Sequence, residues 1–219
     1  MAATADAVSA GAFPVLLSGD CNTSLGVIAG FQAGGLDPGF VWCDAHVDFH
    51  TPATDRFGSL DCQGLAMLTG RAWRELVRQT GLRPLRDNQV VLVGARSIDL
   101  DELRALEASG IGQLTVESFR DHASRVGVVE SLTRLSPDGV HVHVDADVLD
   151  PSLAPANDYA EPGGLESGEI RQLVDEVASR STVTSISVAS YDAGLDPEGV
   201  LAGELIGIVV DAVGVFRSR

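Results

Sequence analysis

The chain has 219 residues, 31 acidic and 15 basic, and a formal net charge of −16, which excludes nucleic acid and anionic membrane as partners. With 45% apolar and 21% charged residues, the composition is that of a folded globular protein long enough to bury a full core. Three cysteines, Cys21, Cys43 and Cys62, follow no repeated spacing and exclude a disulfide framework.

The opening MAATADAVSAGAFPVLL has no basic n-region, and the apolar stretch LIGIVVDAVGVF is short and broken by Asp211. A reducing, cytoplasmic setting is the expectation. Residues 13–17 (FPVLL) read as a strand, 23–32 as a helix and 40–43 (FVWC) as a buried strand. Leu65, Leu68, Ala72 and Leu76 recur at helical spacing and predict one helix over 64–79. A strand over 89–93, a helix over 100–108, a short strand over 111–116 and a helix over 124–135 follow. The pattern ends with strands at 140–144 and 183–188, and with helices at 166–178 and 199–215. Strands alternating with helices imply parallel pairing and right-handed crossovers. The expected fold is a three-layer α/β/α sandwich on a mostly parallel sheet, as one domain over 1–219.

Ligands of such a sheet collect beyond the carboxyl ends of the strands. Two unusual segments lie there. In WCDAHVDFHTP, Asp44, His46 and Asp48 follow the strand FVWC at a spacing of two, which in extended backbone points all three to one side. In HVHVDADVLDP, Asp145 and Asp147 follow a strand in the same way, with Val140, Val142 and Val144 facing the opposite layer from His141 and His143. Converging carboxylates repel unless a cation lies between them, and this oxygen and nitrogen set suits Mn, Fe or Zn. One Asp-x-Asp alone would read as a cap or a solvated loop. Two of them at strand ends point to a dinuclear site. Trp42 and Trp73 read as core or interface aromatics, His122 as exposed, and the pair Gly163-Gly164 as shaping a loop, since it fits no phosphate-binding fingerprint.

The segment DAHVDFHTP resembles the D-A-H-x-D-x-x-T-P motif of the arginase (ureohydrolase) family. HVHVDADVLDPSLAPANDYAEPGGL is similar to its S-F-D-x-D-x-x-D-P partner, SGDCNTSLG to its G-G-D-H-S element, and VGARSIDLDE to its G-x-R-x-x-D-x-x-E segment. The order and spacing of all four agree over most of the chain. The resemblance implies two divalent cations, Mn first, with Asp44 and Asp145 bridging. Asp48 would complete one shell, and His46 and Asp147 the other. It further implies a metal-bridging hydroxide that attacks a guanidinium or amidine carbon, so the expected activity is hydrolysis of a linear C–N bond in a small guanidino or amidine compound. A homo-oligomer is expected by the same analogy.

The chain departs from the family at several positions. Cys21 stands where the family has its first ligand His. A thiolate there would add one negative charge to a site in which four Asp balance two divalent cations, and would favour Zn or Fe. Asp61 stands at a proposed proton-shuttle His, so the catalytic set is Asp61, Asp147 and His46. Ser190 falls where a Glu pairs with the guanidinium, and Asp192 lies two residues on. His50, Asp55 and Arg56 belong to the loop that holds a substrate carboxylate. Asp99 and Glu102 match positions that contact an α-amino group, and Asp99 reads equally well as a helix cap. The short N-terminal part implies a missing first strand and an uncovered sheet edge. An Nω-hydroxyarginine or other guanidino-acid amidinohydrolase is an alternative that Cys21 favours and Ser190 opposes. A catalytically weak metal-binding protein of this family is the alternative from another class.

Overall fold

The computed structural model describes residues 1–218; the expected unit over 1–219 extends to Arg219, which lies outside them. Six parallel strands form one sheet among the described residues: β1 (Val15–Leu17), β2 (Gly39–Cys43), β3 (Val90–Val93), β4 (Gly112–Leu114), β5 (Val140–Asp145) and β6 (Val183–Ala189). Their order is β1-β6-β5-β2-β3-β4. Phe40 to Cys43 pair with Val90 to Val93 on one side and with His141 to Val144 on the other. Every residue of β2, β3 and β5 is buried, as continuous apolar runs of a central parallel sheet require.

Helices cover both faces. Val41, Val91, Val142, Val144 and Ile186 pack with Leu132 of α7 (His122–Leu135), Leu173 and Val177 of α8 (Ser167–Ala178) and Leu205 and Ile208 of α9 (Val200–Arg217). Phe40, Trp42, Val90 and Leu92 pack on the other face with Ile28 of α2 (Ser24–Ala33), Leu65 of α3 (Gly64–Leu68), Val77 of α4 (Arg74–Gln79) and Leu106 of α5 (Leu100–Glu107). The alternation along each strand thus divides the core into two halves. Crossovers from β2 to β3 and β4 run over the second face, and those returning to β5 and β6 run over the first. Right-handed connection makes the face change when the direction of travel along the sheet changes. The change falls between β2 and β5, where a crevice opens beyond the strand ends.

The single helix expected over 64–79 is two. α3 ends at Leu68, two residues before Gly70, whose φ of +75° leaves the helical region, and α4 starts after Trp73 at φ +47°. A side chain on Gly70 would also meet the Pro84 ring at 2.9 Å. Leu76, placed on the buried face by the helical pattern, is therefore 45% exposed. Two short helices escaped the sequence pattern. α1 (Ala2–Ser9) has no fully buried residue and lies against Gly30 of α2. α6 (Val116–Arg120) takes over part of the expected strand 111–116 and starts at Thr115, whose hydroxyl accepts from the Ser118 amide. β1 and β4 are the two edges of the sheet, and on β1 Val15 is exposed and Leu17 is 74% exposed. No helix among the described residues is long and apolar enough to cross a membrane.

Candidate metal centre

Asp44 directly follows β2 and Asp145 ends β5, so the crevice brings together two carboxylates that lie a hundred positions apart in the sequence. Ligand atoms of Cys21, Asp44 and Asp48 lie within 4.8 Å of one another, and so do those of Asp44, His46 and Asp147. Asp44 belongs to both groups. Its Oδ2 accepts from the Trp42 indole N–H at 2.9 Å and its Oδ1 from the His46 amide at 2.7 Å. Asp145 Oδ1 accepts from the Asp147 amide at 2.9 Å, and its Oδ2 from the Cys21 thiol at 2.8 Å. His46 Nδ1 lies 3.4 Å from Asp44 and 3.3 Å from Asp147. Asp48 sits at φ +49°, a conformation to which the amides of Leu65 and Ala66 are tied through its carbonyl.

The electrostatics of this basket call for a cation. Burial lifts the Asp44 carboxyl to about 6, and the Asp147 charge adds to the effect. Burial lifts Asp48 well above the carboxylate range, with Asp44, Asp61 and Asp145 pushing the same way. Asp145 is raised by burial and then by Asp44 and Asp147. Burial also raises the Cys21 thiol well above its usual value, reinforced by Asp145. For His46, burial works downward, but Asp147 and Asp44 overcome it and bring the imidazole up to about 11. Among the described residues the nearby positive charge is a shared imidazole and the Arg96 guanidinium, whose N–H groups are taken up by backbone carbonyls, which is too little for four buried carboxylates. Divalent cations fit this donor set, and the thiol would lose its proton on binding one.

A cavity of about 710 Å³ opens above the basket. Asp61, His50, Asp99, Glu102, Ser190 and Asp192 line it together with Asp44, His46, Asp48, Asp145 and Asp147 of the basket. Asp61 Oδ1 accepts from the Cys21 amide at 3.3 Å, and burial, with help from Asp20, raises its carboxyl. Ser190 is held at φ +63° and its hydroxyl lies 3.7 Å from the Cys21 sulfur. Asp99 caps α5, accepting from the amides of Asp101 and Glu102, so the cap reading and the cavity position hold together. His50 Nε2 faces Asp99 at 3.3 Å and Glu102 at 3.8 Å. Asp55 and Arg56 are not brought into the cavity. Asp55 closes its own turn by accepting from the amides of Phe57 and Gly58, and exposed Arg56 points to Asp101.

Three residues were missed as site residues in the sequence. Trp42, read as a core aromatic, donates to Asp44. Asn157 donates to both Asp147 Oδ2 and the Ser190 carbonyl at 3.1 Å, tying a basket carboxylate to the loop after β6. The Arg96 guanidinium donates to the carbonyls of Gly94, Asp147, Val148, Glu161 and Pro162. A lone Asn in an irregular loop carries no local signature, whereas Arg96 stands inside the segment VGARSIDLDE. His141 and His143, which face the second core half, are neutral by burial and bonded to Ser185, Ser187 and Ser24.

A parallel α/β sheet with a carboxylate-rich basket at its switch point is an arrangement that could hold divalent cations beside a small-molecule cavity. The Arginase family model matches residues 1–210, and the chain belongs to the arginase family, whose members are metal-dependent hydrolases of C–N bonds in guanidino and amidine compounds. It is 29% identical over 212 residues to the arginase of Brucella melitensis, covering 94% of this chain and 69% of that one. With the arginase of Bacillus caldovelox it shares 30% identity over 217 residues, 97% of this chain and 72% of the relative. A solved structure of the latter superimposes with a TM-score of 0.86 over all of this chain and 73% of its own.

Proposed function

We propose that this chain hydrolyses a linear C–N bond in a guanidino or amidine compound, with two divalent cations held by Cys21, Asp44, His46, Asp48, Asp145 and Asp147. The observation that carries the reading is the sharing of Asp44 between two ligand groups, with Asp145 alongside it. When bound, two such cations supply Lewis acidity and an activated water at neutral pH. The protein's own groups do the rest. Trp42 and Arg96 fix the basket by holding Asp44 and the Asp147 backbone. Asp61, raised by burial, retains more proton at neutral pH than a free Asp and delivers it to the departing nitrogen. Ser190 offers a hydroxyl and a carbonyl where a carboxylate clamp would pair with guanidinium, which favours an atypical substrate over arginine. The three unpaired cysteines support a reducing, cytoplasmic setting.

Elemental analysis tests the site, and turnover of guanidino and amidine compounds tests the activity. Near two Mn, Fe or Zn per chain, reduced in Asp145→Asn, with metal-dependent product formation, is the expected result. Metal without turnover of any compound leaves the catalytically weak metal-binding reading, which Ser190 supports. Absence of stoichiometric metal after reconstitution overturns both.

A further inference from the structure

The cavity outside the basket has an unusual balance of charge. Asp61, Asp99, Glu102 and Asp192 line it, with His50 as the one basic side chain away from the basket among the described lining residues. His50 is already placed between Asp99 and Glu102, 3.3 and 3.8 Å away. All 15 lysine-or-arginine positions of the chain are arginines, and among the described residues none of them lines the cavity. Arg56 turns outward to Asp101, and Arg96 is surrounded by backbone carbonyls. A carboxylate entering here would leave water, meet like charge and gain no cationic partner.

The mouth is apolar and aromatic. Phe57 is 83% exposed and Tyr159 75% exposed, and both line the cavity with Ile98 and Tyr191. Phe57 comes from the loop after β2 and Tyr159 from the loop after β5. Large exposed rings at a cavity mouth gain by covering an apolar ligand surface, and their faces attract a cation.

We infer that the site selects a cationic guanidine or amidine with an apolar or aromatic tail and no carboxylate. The head group rests on the function proposed above; the selectivity of the tail rests on the cavity wall alone. Acidic residues draw the cation in, and the rim rings hold the tail.

Calorimetric titration of the metal-loaded protein with phenylguanidine, agmatine, L-arginine and 4-guanidinobenzoate tests this. Phenylguanidine is expected to bind about tenfold or more tighter than L-arginine and 4-guanidinobenzoate. The double variant Phe57→Ala, Tyr159→Ala should lose about tenfold for phenylguanidine and change agmatine by less than about threefold. Asp192→Arg should strengthen 4-guanidinobenzoate binding. L-arginine or 4-guanidinobenzoate binding as tightly as phenylguanidine to the unaltered protein overturns the inference, and so does a lack of saturable phenylguanidine binding. Product is followed in the same samples. Selective binding without product removes the hydrolase reading alone, and tight binding with turnover of L-arginine removes the tail selectivity alone.

Discussion

Asp48 is buried at a left-handed backbone position among Asp44, Asp61 and Asp145. A carboxyl raised above its unfolded value of about 3.9 binds protons preferentially in the folded state. Metal-free protein therefore loses stability as pH climbs from that value through the folded one. Asp48→Asn removes the charge and tolerates the positive φ. In urea denaturation with chelator at pH 7.5, the variant should be measurably more stable than the unaltered protein. The difference should vanish below about pH 4, and added Mn²⁺ should stabilise the unaltered chain more than the variant. Equal metal-free stabilities at pH 7.5 would sink this account. Cys21 makes a separate prediction. Its thiol is 2.8 Å from Asp145 and fully protonated without a cation. Cobalt(II) substitution should produce a near-ultraviolet thiolate-to-metal band that Cys21→Ser abolishes. A spectrum unchanged by that substitution would show that sulfur is not a ligand.

The segment between β5 and α8 carries Asp147 and Asn157 and has little regular structure of its own. Its shape is set by polar contacts. Asp150 accepts from the amides of Gly163 and Gly164, and a side chain on Gly164 would lie 2.6 Å from the Asp150 nitrogen. Arg96, reaching over from the loop after β3, holds both ends of the segment through Asp147, Val148, Glu161 and Pro162. Arg96→Met keeps the apolar stem and removes the donors, leaving carbonyls unsatisfied. It should cost about 2–4 kcal/mol of stability and weaken metal binding about 10–100-fold. Denaturation and metal titration read the two effects separately. Lost stability with unchanged metal affinity would show that the segment does not position Asp147 through Arg96.

At the scale of the whole molecule, both core halves share the same sheet, and the basket lies where β2 and β5 meet. Cation binding at that junction stabilises the folded state by linkage. Metal at about a hundred times its dissociation constant should contribute about 2.7 kcal/mol, which raises Tm by about 5–10 °C for a chain of this size. Circular dichroism and tryptophan fluorescence should report one coincident transition, because Trp42 lies in one half and is bonded to the basket. Two separated transitions would divide the halves into independent units.

Much of this architecture is written locally in the chain. Apolar runs mark β2, β3, β5 and β6, and period-two alternation holds within the strands, where geometry alternates side chains without reference to the rest of the fold. Asp44, His46, Asp48 and Asp147 lie beyond the strand ends on irregular or tightly turned backbone, so strand alternation does not by itself fix the side they face. The four motif segments carry the family. What the sequence could not state is which strand ends are neighbours. That depends on the direction of each crossover, and it is what sets Asp145 beside Asp44, and Cys21 and Ser190 beside Asp145. Tertiary packing also decided the outward turn of Arg56, the break of the expected helix at Gly70 against Pro84, and the pairing of His50 with Asp99 and Glu102. Each of these is fixed by contacts between residues distant in sequence, to which local periodicity is blind.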